Sequence, residues 1–388
     1  MNNLASLQIS PDGECIKLPT ALRQRILNRS NPIQTKQSGY ILYLPTVVLR
    51  KRHNPGFALA CHLSNHYNIP LVVLCTVLDD THLSSSSDKD HPAICQTARR
   101  LAFYLEALES CCREWESHGA GVAIRIHGPG ARILHHLTLA NQAMAVVTDE
   151  GFVEPYLLYN QRIFRTCIAA KVPCWSVDGS TTVPPISILT RASNGFTGVP
   201  AKAWLWEKKT EPQRKSHVYA ATRQGHLDAP SLNVRMQKSF FRHDSASCSL
   251  IERPPFSTWK RESFFAVEDL EAKNLKEFAT SWIGSDPSVP PSCQTHGSIQ
   301  AGKRRWKHFL DSQLKDYAKR RNQIVQPHAV SRISCYLNLG ILSIFDVISD
   351  VWNAKENRGY STGCQKFIEE VVKWREIGYC YTLANPSN

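Results

Sequence analysis

Three short stretches carry residue types whose spacing suits chemistry. In VSRIS, Ser331 and Ser334 flank Arg332 and Ile333 just ahead of the apolar run CYLNLGIL. Backbone N–H groups at a helix start, one or two hydroxyls and a guanidinium together make an anion site, with phosphate the natural occupant. The plain alternative is that Ser331 or Ser334 only caps the helix. Upstream, Tyr317 is followed by Lys319, Arg320, Arg321 and Asn322. Downstream, Glu370 precedes the triplet Trp374-Arg375-Glu376. As a planar fork of donors, Arg375 can pair with a carboxylate or a phosphate.

The bulk composition narrows the partners. The chain has 388 residues, a formal net charge of +13 and a pI near 9.2. Such a balance favours polyanions, with nucleic acid first. Arg304, Arg305, Lys319, Arg320 and Arg321 are the candidate phosphate contacts. The 13 cysteines are odd in number, with Cys111 and Cys112 adjacent and no CxxC pair. That usage predicts reduced thiols in an intracellular protein, as does the lack of a signal-peptide stretch at its start. The nucleus is the first expectation for its location, with chloroplast or mitochondrion as alternatives. No run approaches the ~18 apolar residues of a membrane span. His135-His136 lack a third ligand at metal spacing, so no metal is expected. A monomer is expected.

The elements that must position these residues follow from hydrophobic patterning. Continuous apolar runs at 39–49 and 69–80 suit parallel strands covered on both faces. Further strands are expected at 122–128, 143–150 and 172–180, with helices between them, including one over 129–142. This alternation predicts an α/β Rossmann-like doubly wound parallel sheet over residues 39–186. Residues 1–38 read as an N-terminal extension with a short helix in ALRQRILNRSNP. Residues 187–263 read as a basic linker, with Lys202, Lys208, Lys209, Arg214 and Lys215 either solvated or on DNA phosphates. Residues 264–388 read as all-α. Trp306, Phe309, Leu310, Leu314 and Tyr317 share one helical face, and Phe367, Glu370, Val371 and Trp374 share another. Trp306, Trp352 and Trp374 read either as core aromatics or as an electron relay. Asp149 and Glu150 end a parallel strand, where α/β sheets place ligands, or they are loop-solvated carboxylates.

The order of these stretches resembles the photolyase/cryptochrome family, most closely its class II cyclobutane pyrimidine dimer photolyases. FLDSQLKDYAKRRNQ is similar to the family's helix ending in Tyr, basic residues and Asn. AVSRISCYLNLGILS is similar to its flavin phosphate loop, and KFIEEVVKWREIGYCY to its Glu/Arg segment. GYILYLPTVVLRKRHNPGFAL, AVVTDE and VPCWSVDGSTTVP resemble strands of its first domain. The resemblance covers roughly residues 20–385, with the linker poorly matched.

The resemblance implies a partial flavin-binding helical domain behind the α/β domain. It implies flavin adenine dinucleotide (FAD), held at Tyr317, Ser331, Arg332, Ile333, Ser334, Glu370 and Arg375. Glu370 and Trp374 become the candidates for a lesion pocket, DNA with pyrimidine dimers the partner, and blue-light repair the activity. An antenna chromophore in the first domain is a further implication. Cryptochrome-type light sensing and a non-catalytic nucleic-acid-binding remnant are the alternatives. The departures are Val330, Cys335 for a common proline, Leu339 for an aromatic, Trp374 for the first arginine of a pair, and His53-Asn54 for Asp-Asn. The chain stops at Asn388, where the resemblance implies further helices. These departures feed the alternative of a truncated or degenerate member that holds FAD weakly or has lost it.

The charge pattern makes a testable statement. If six or more phosphates are neutralised, affinity for duplex DNA should fall by about 10³ or more between roughly 50 and 200 mM salt. Fluorescence anisotropy across that range measures it, and a flat profile would overturn it.

Overall fold

The structure is a computed structural model. It describes residues 4–8, 15–30, 39–77, 97–126, 142–152, 156–182, 226–236, 259, 267–282, 285–323, 329–375 and 378–379. The expected helix over 129–142 and the named linker cations lie outside the described residues, apart from Gln142.

The apolar runs form a buried sheet. Its strands are β3 (Ile26–Ser30), β4 (Ile41–Leu44), β5 (Leu71–Val77), β6 (Gly121–Ile126), β7 (Ala145–Asp149) and β8 (Cys174–Val177). Every residue of β4, β5, β7 and β8 is buried. Ile41 and Tyr43 enter one core while Tyr40, Leu42 and Leu44 enter the other, the period of two that a strand between two layers requires. The spatial order is β3-β8-β7-β4-β5-β6, with β8 to β6 parallel and β3 antiparallel at one edge. The order reverses between β4 and β7, the switch point of a doubly wound sheet.

Helices cover both faces. Helix α2 (Pro55–Tyr67) starts at Asn54, whose side chain accepts from Phe57 N, with Pro55 at the first position. Helix α3 (Ala98–His118) is capped by Thr97 and ends at Gly119. Helix α4 (Tyr156–Ala169) lays Tyr159, Ile163 and Cys167, four residues apart, into the opposite core.

Residues 1–38 hold more than a short helix. A hairpin of β1 (Leu4–Gln8) and β2 (Cys15–Pro19) leads into a four-residue helix, α1 (Thr20–Arg23), and then into β3. The sequence window ILNRS reads weakly as a strand, but β8 offers an unpaired edge, and backbone pairing decides the outcome. Arg25, fully buried, anchors the turn before β3 by donating to the carbonyls of Thr181 and Thr182 at 2.9 and 3.3 Å.

Parts of the expected linker are packed. Residues 226–236 lie along α2 and α3. Asn65 Nδ2 donates to Ser231 O at 2.8 Å, and Met236 N to Gly119 O at 2.8 Å. Trp259 is buried in the α4-side core and donates to the Tyr40 hydroxyl at 3.3 Å.

The later chain is helical. It contains α5 (Val267–Glu271), α6 (Leu275–Ser281), α7 (Ile299–Ser312), a 3₁₀ turn (Leu314–Asp316) and α8 (Tyr317–Arg320). Then come α9 (Ser334–Asn338), α10 (Ile344–Arg358) and α11 (Ser361–Ile368), the last running into a π-helical turn at Glu369–Lys373. Asn274 caps α6 and so separates it from α5. No described helix is long and apolar enough to cross a membrane.

Sheet and helices meet at a polar seam. Leu49 N donates to Leu339 O at 3.0 Å. The buried Arg50 guanidinium donates to the carbonyls of Gly340 at 2.8 Å, His53 at 2.9 Å and Gly179 at 3.1 Å. Gly340 has φ +65°, and a Cβ there would collide with the Val47 carbonyl and backbone. Gly359 has φ +68° with nothing within 4 Å. Gly359→Ala should therefore cost about 1–2 kcal/mol, the left-handed penalty alone. Gly340→Ala should cost clearly more, because the seam must also open. Urea denaturation of the two variants makes the comparison, and equal losses would show the seam to be soft.

Candidate functional site

Helix α7 is the spine of the site. Ser298 caps it by accepting from Ala301 N, and Ile299, Gly302, Trp306 and Phe309 form its buried face. Arg305 and Phe309 lie one turn apart on this helix. Each organises one group of the residues singled out in the sequence.

Arg305 organises the first group. Its Nε donates to the Ser331 carbonyl at 3.0 Å, and its Nη2 is buried without a hydrogen-bond partner. Beyond that contact, Arg332 turns through φ +53° and is exposed. Ile333 is buried and serves as the N-cap residue of α9, with no side chain capping the helix. Neither Ser331 nor Ser334 therefore caps it. The capping alternative fails because the left-handed Arg332 moves Ser331 off the helix axis and makes Ser334 the first helical residue. Ser334 is exposed and Ser331 half-buried. Tyr336 locks the far side, its hydroxyl donating to His296 O at 2.8 Å.

Phe309 organises the second group. Tyr317 packs edge-on against Phe309 at 5.6 Å and Phe367 at 5.3 Å. Burial raises the Tyr317 phenol above its ordinary range, and the Glu370 charge adds to the effect. Glu370 lies 3.6 Å from Arg321 Nη1 and 3.0 Å from Lys366 Nζ. The structure thus brings Tyr317 and Glu370 together, with Arg321 of the Tyr317 stretch and Lys366, which the sequence did not single out, as neighbours of Glu370.

The face expected from Phe367, Glu370, Val371 and Trp374 does not hold. The π-helical turn spreads more residues over each turn between Phe367 and Trp374, so the rotation falls short of the 3.6-residue count. Val372 takes the buried position in place of Val371, and Trp374 emerges 57% exposed with Lys373 over its ring. Trp306 is a core residue whose Nε1 donates to Asp350 at 2.8 Å, and Trp352 is half-buried beneath Lys355. Arg375 leaves the Glu370 group and donates to Ser180 O at 3.1 Å, across the seam.

The basic candidates also divide. Arg304, Lys319 and Arg320 are exposed, while Arg305 and Arg321 turn inward to Ser331 and Glu370. Asp149 is no solvated loop carboxylate. It is fully buried, accepting from Tyr43 Oη at 2.6 Å and from the backbone N–H of Thr46, Val47 and Val48 at 2.8, 3.2 and 3.0 Å. Burial pushes its carboxyl up to about 6, against the pull of these donors. Glu150, beside it, is pushed up to about 7 by burial.

Three-dimensional comparison decides the fold. The crystal structure of a cryptochrome from Synechocystis sp. PCC6803 superposes with a TM-score of 0.58 at 15% identity, covering 90% of this chain. The fold is that of a cryptochrome. This chain spans 63% of that cryptochrome's length. A bacterial class III photolyase from Agrobacterium tumefaciens aligns with a TM-score of 0.49 at 18% identity, over 91% of this chain and 60% of its own. No protein-family model and no curated protein matches the sequence. On the cryptochrome fold, an α/β sheet precedes a helical region, and α7 to α9 hold the Arg305 and Tyr317 groups in that helical region.

The Glu370 pairs are partly open to solvent, with side-chain exposures of 26–31% among Arg321, Lys366 and Glu370. Glu370→Gln should accordingly change unfolding stability by less than about 1 kcal/mol. A thermal or urea melt checks this, and a loss of several kcal/mol would show the pair to be a structural keystone.

Proposed function

We propose that this chain is a photolyase/cryptochrome-type flavoprotein, of the class II kind, that binds FAD and acts on DNA carrying pyrimidine dimers. The carrying observation is Arg305. Its buried, unpaired Nη2 lies beside the Ser331–Ser334 turn, where the resemblance puts the flavin phosphates. A buried N–H donor is costly unless something accepts from it, and on this half-buried arginine a phosphate oxygen fits that need.

Bound FAD would supply blue-light absorption and a one-electron donor. The chain's own residues do the rest. Arg305 and the hydroxyls of Ser331 and Ser334 hold the diphosphate, and Arg332 brings a second positive charge. Tyr317, stiffened by Phe309 and Phe367, offers a phenol that stays protonated. Glu370, kept near Arg321 and Lys366, presents a carboxylate to a pocket in which a flipped dimer is recognised. Extruding the dimer costs a few kcal/mol, which the lesion itself reduces. Arg304, Lys319 and Arg320 supply phosphate contacts. At the switch point Asp149 is already used internally, which leaves Glu150 as the neighbouring carboxyl that an antenna chromophore would meet. Blue-light sensing on the same fold is the second reading, favoured by the inward turn of Arg305 and Arg321, which thins the surface available to DNA.

FAD titration followed by flavin fluorescence tests the assignment. Arg305→Ala should weaken binding about tenfold or more, the worth of one charge-assisted bond, while Arg304→Ala should leave it unchanged. Equal behaviour of the two variants would remove Arg305 from the site. Dimer loss from irradiated DNA under blue light then separates repair from sensing.

A further inference from the structure

Away from these groups, three metal-ligating side chains from distant parts of the chain meet at the seam. His53 lies in the turn before α2, His226 in the segment laid along α2 and α3, and Asp346 in the first turn of α10. Asp346 Oδ1 is 3.1 Å from His53 Nε2 and 3.8 Å from His226 Nε2. The three ligand atoms all lie within 4.8 Å of one another. Around a zinc-sized ion with bonds near 2.0–2.1 Å, tetrahedral ligand atoms stand about 3.3 Å apart. Small side-chain rotations close the difference. The two imidazoles are already side by side, with ring centroids 4.5 Å apart.

The surroundings prepare the nitrogen that faces the cluster. His53 is 3% exposed, and its Nδ1 is buried with no hydrogen-bond partner. Asp228 Oδ1 stands 3.8 Å from that Nδ1. A proton on Nδ1, drawn toward this carboxylate, leaves the Nε2 lone pair directed at the cluster. That is the carboxylate–histidine–metal relay by which outer carboxylates orient ligating imidazoles. Asp350, one turn along α10, is already engaged by Trp306 Nε1 at 2.8 Å. Ser349 Oγ lies 3.4 Å from His226 Nε2.

One group stands in the way. Arg52 Nε donates to His53 Nε2 at 3.0 Å. Arg52 is exposed, and its side chain can swing into solvent when a cation arrives. As it stands, the guanidinium engages the His53 nitrogen that would bind the ion and partly offsets the Asp346 charge.

We propose that His53, His226 and Asp346 form a binding site for one divalent transition-metal ion of the zinc class. Two imidazoles and one carboxylate favour zinc, cobalt or nickel over magnesium or calcium. With one ligand from each of three segments, the ion ties the sheet, the segment after it and α10 together. Ligand binding of this kind adds directly to folded-state stability.

Cobalt(II) is the probe, because four-coordinate cobalt absorbs visibly. Titrated into the full chain, it should give a one-to-one absorption change that zinc abolishes, together with a rise in Tm. His226→Ala and Asp346→Asn, both partly exposed, should weaken binding by roughly tenfold or more. Arg52→Ala should tighten it by removing the competing cation. The proposal is overturned if native chain, His226→Ala and Asp346→Asn give the same cobalt spectrum and Tm shift, which would put the metal on other histidines or cysteines. It is equally overturned if neither the native chain nor Arg52→Ala binds.

Discussion

At the C-terminal end of β7, the Asp149 carboxylate gathers three consecutive backbone N–H groups and one phenol into the protein interior, and the position of the helical region follows from it. An unpaired carboxylate at this depth would be far too costly to keep. With Tyr43, Thr46, Val47 and Val48 donating, it becomes the point about which the chain turns back after β4. Asn54 joins the same group, donating to the Tyr43 hydroxyl and to Arg50 O while capping α2. The turn therefore leaves Leu49 and Arg50 facing Leu339 and Gly340. Through those bonds the Ser331–Ser334 turn is referenced to the sheet.

The seam is built largely from arginines and carbonyl oxygens. Arg25, Arg50 and Arg375 all donate to the loop after β8, at Thr181, Gly179 and Ser180 respectively. Arg25 also lies 3.6 Å from Asp178 and stacks over Phe345 of α10, 4.8 Å from the ring centre. A guanidinium suits this work because its donors fan out in a plane and reach several acceptors at once. Burial lowers Arg50 to about 10, which still leaves it charged at neutral pH. Such an arrangement specifies one docking geometry more than it adds stability, since each buried charge offsets much of what it gains.

What the sequence revealed depended on whether a residue's partner was near in the chain. The strands β4 and β5 were legible because uninterrupted Val, Leu and Ile runs have few other uses. Strand β3 was not, because ILNRS becomes a strand only when the β8 edge is there to receive it. The Ser-Arg-Ile-Ser stretch was legible as a chain feature, but not the left-handed Arg332 that removes both serines from capping. Counting faces at 3.6 residues per turn placed Trp374 with Phe367, and the π-helical turn defeats that count. Charge alone carries no direction, so Arg305 and Arg321 looked like their exposed neighbours. His53, His226 and Asp346 stand far apart in the chain, and only the packing of residues 226–236 brings them together.

The Asp149 tie has a consequence for how the molecule meets solvent over time. Loop amides ordinarily exchange their hydrogens with water quickly, because little opening is needed to reach them. The amides of Thr46, Val47 and Val48 belong to a loop by shape, yet their hydrogens point at a carboxylate with no exposed surface. For the two buried positions, Thr46 and Val48, water reaches the amide only when β7 and the turn after β4 part, while Val47 is partly buried and its hydrogen is held by the bond to Asp149. The exchange clock of Thr46 and Val48 is therefore that of the sheet itself, and these two loop positions report the opening of the whole α/β layer.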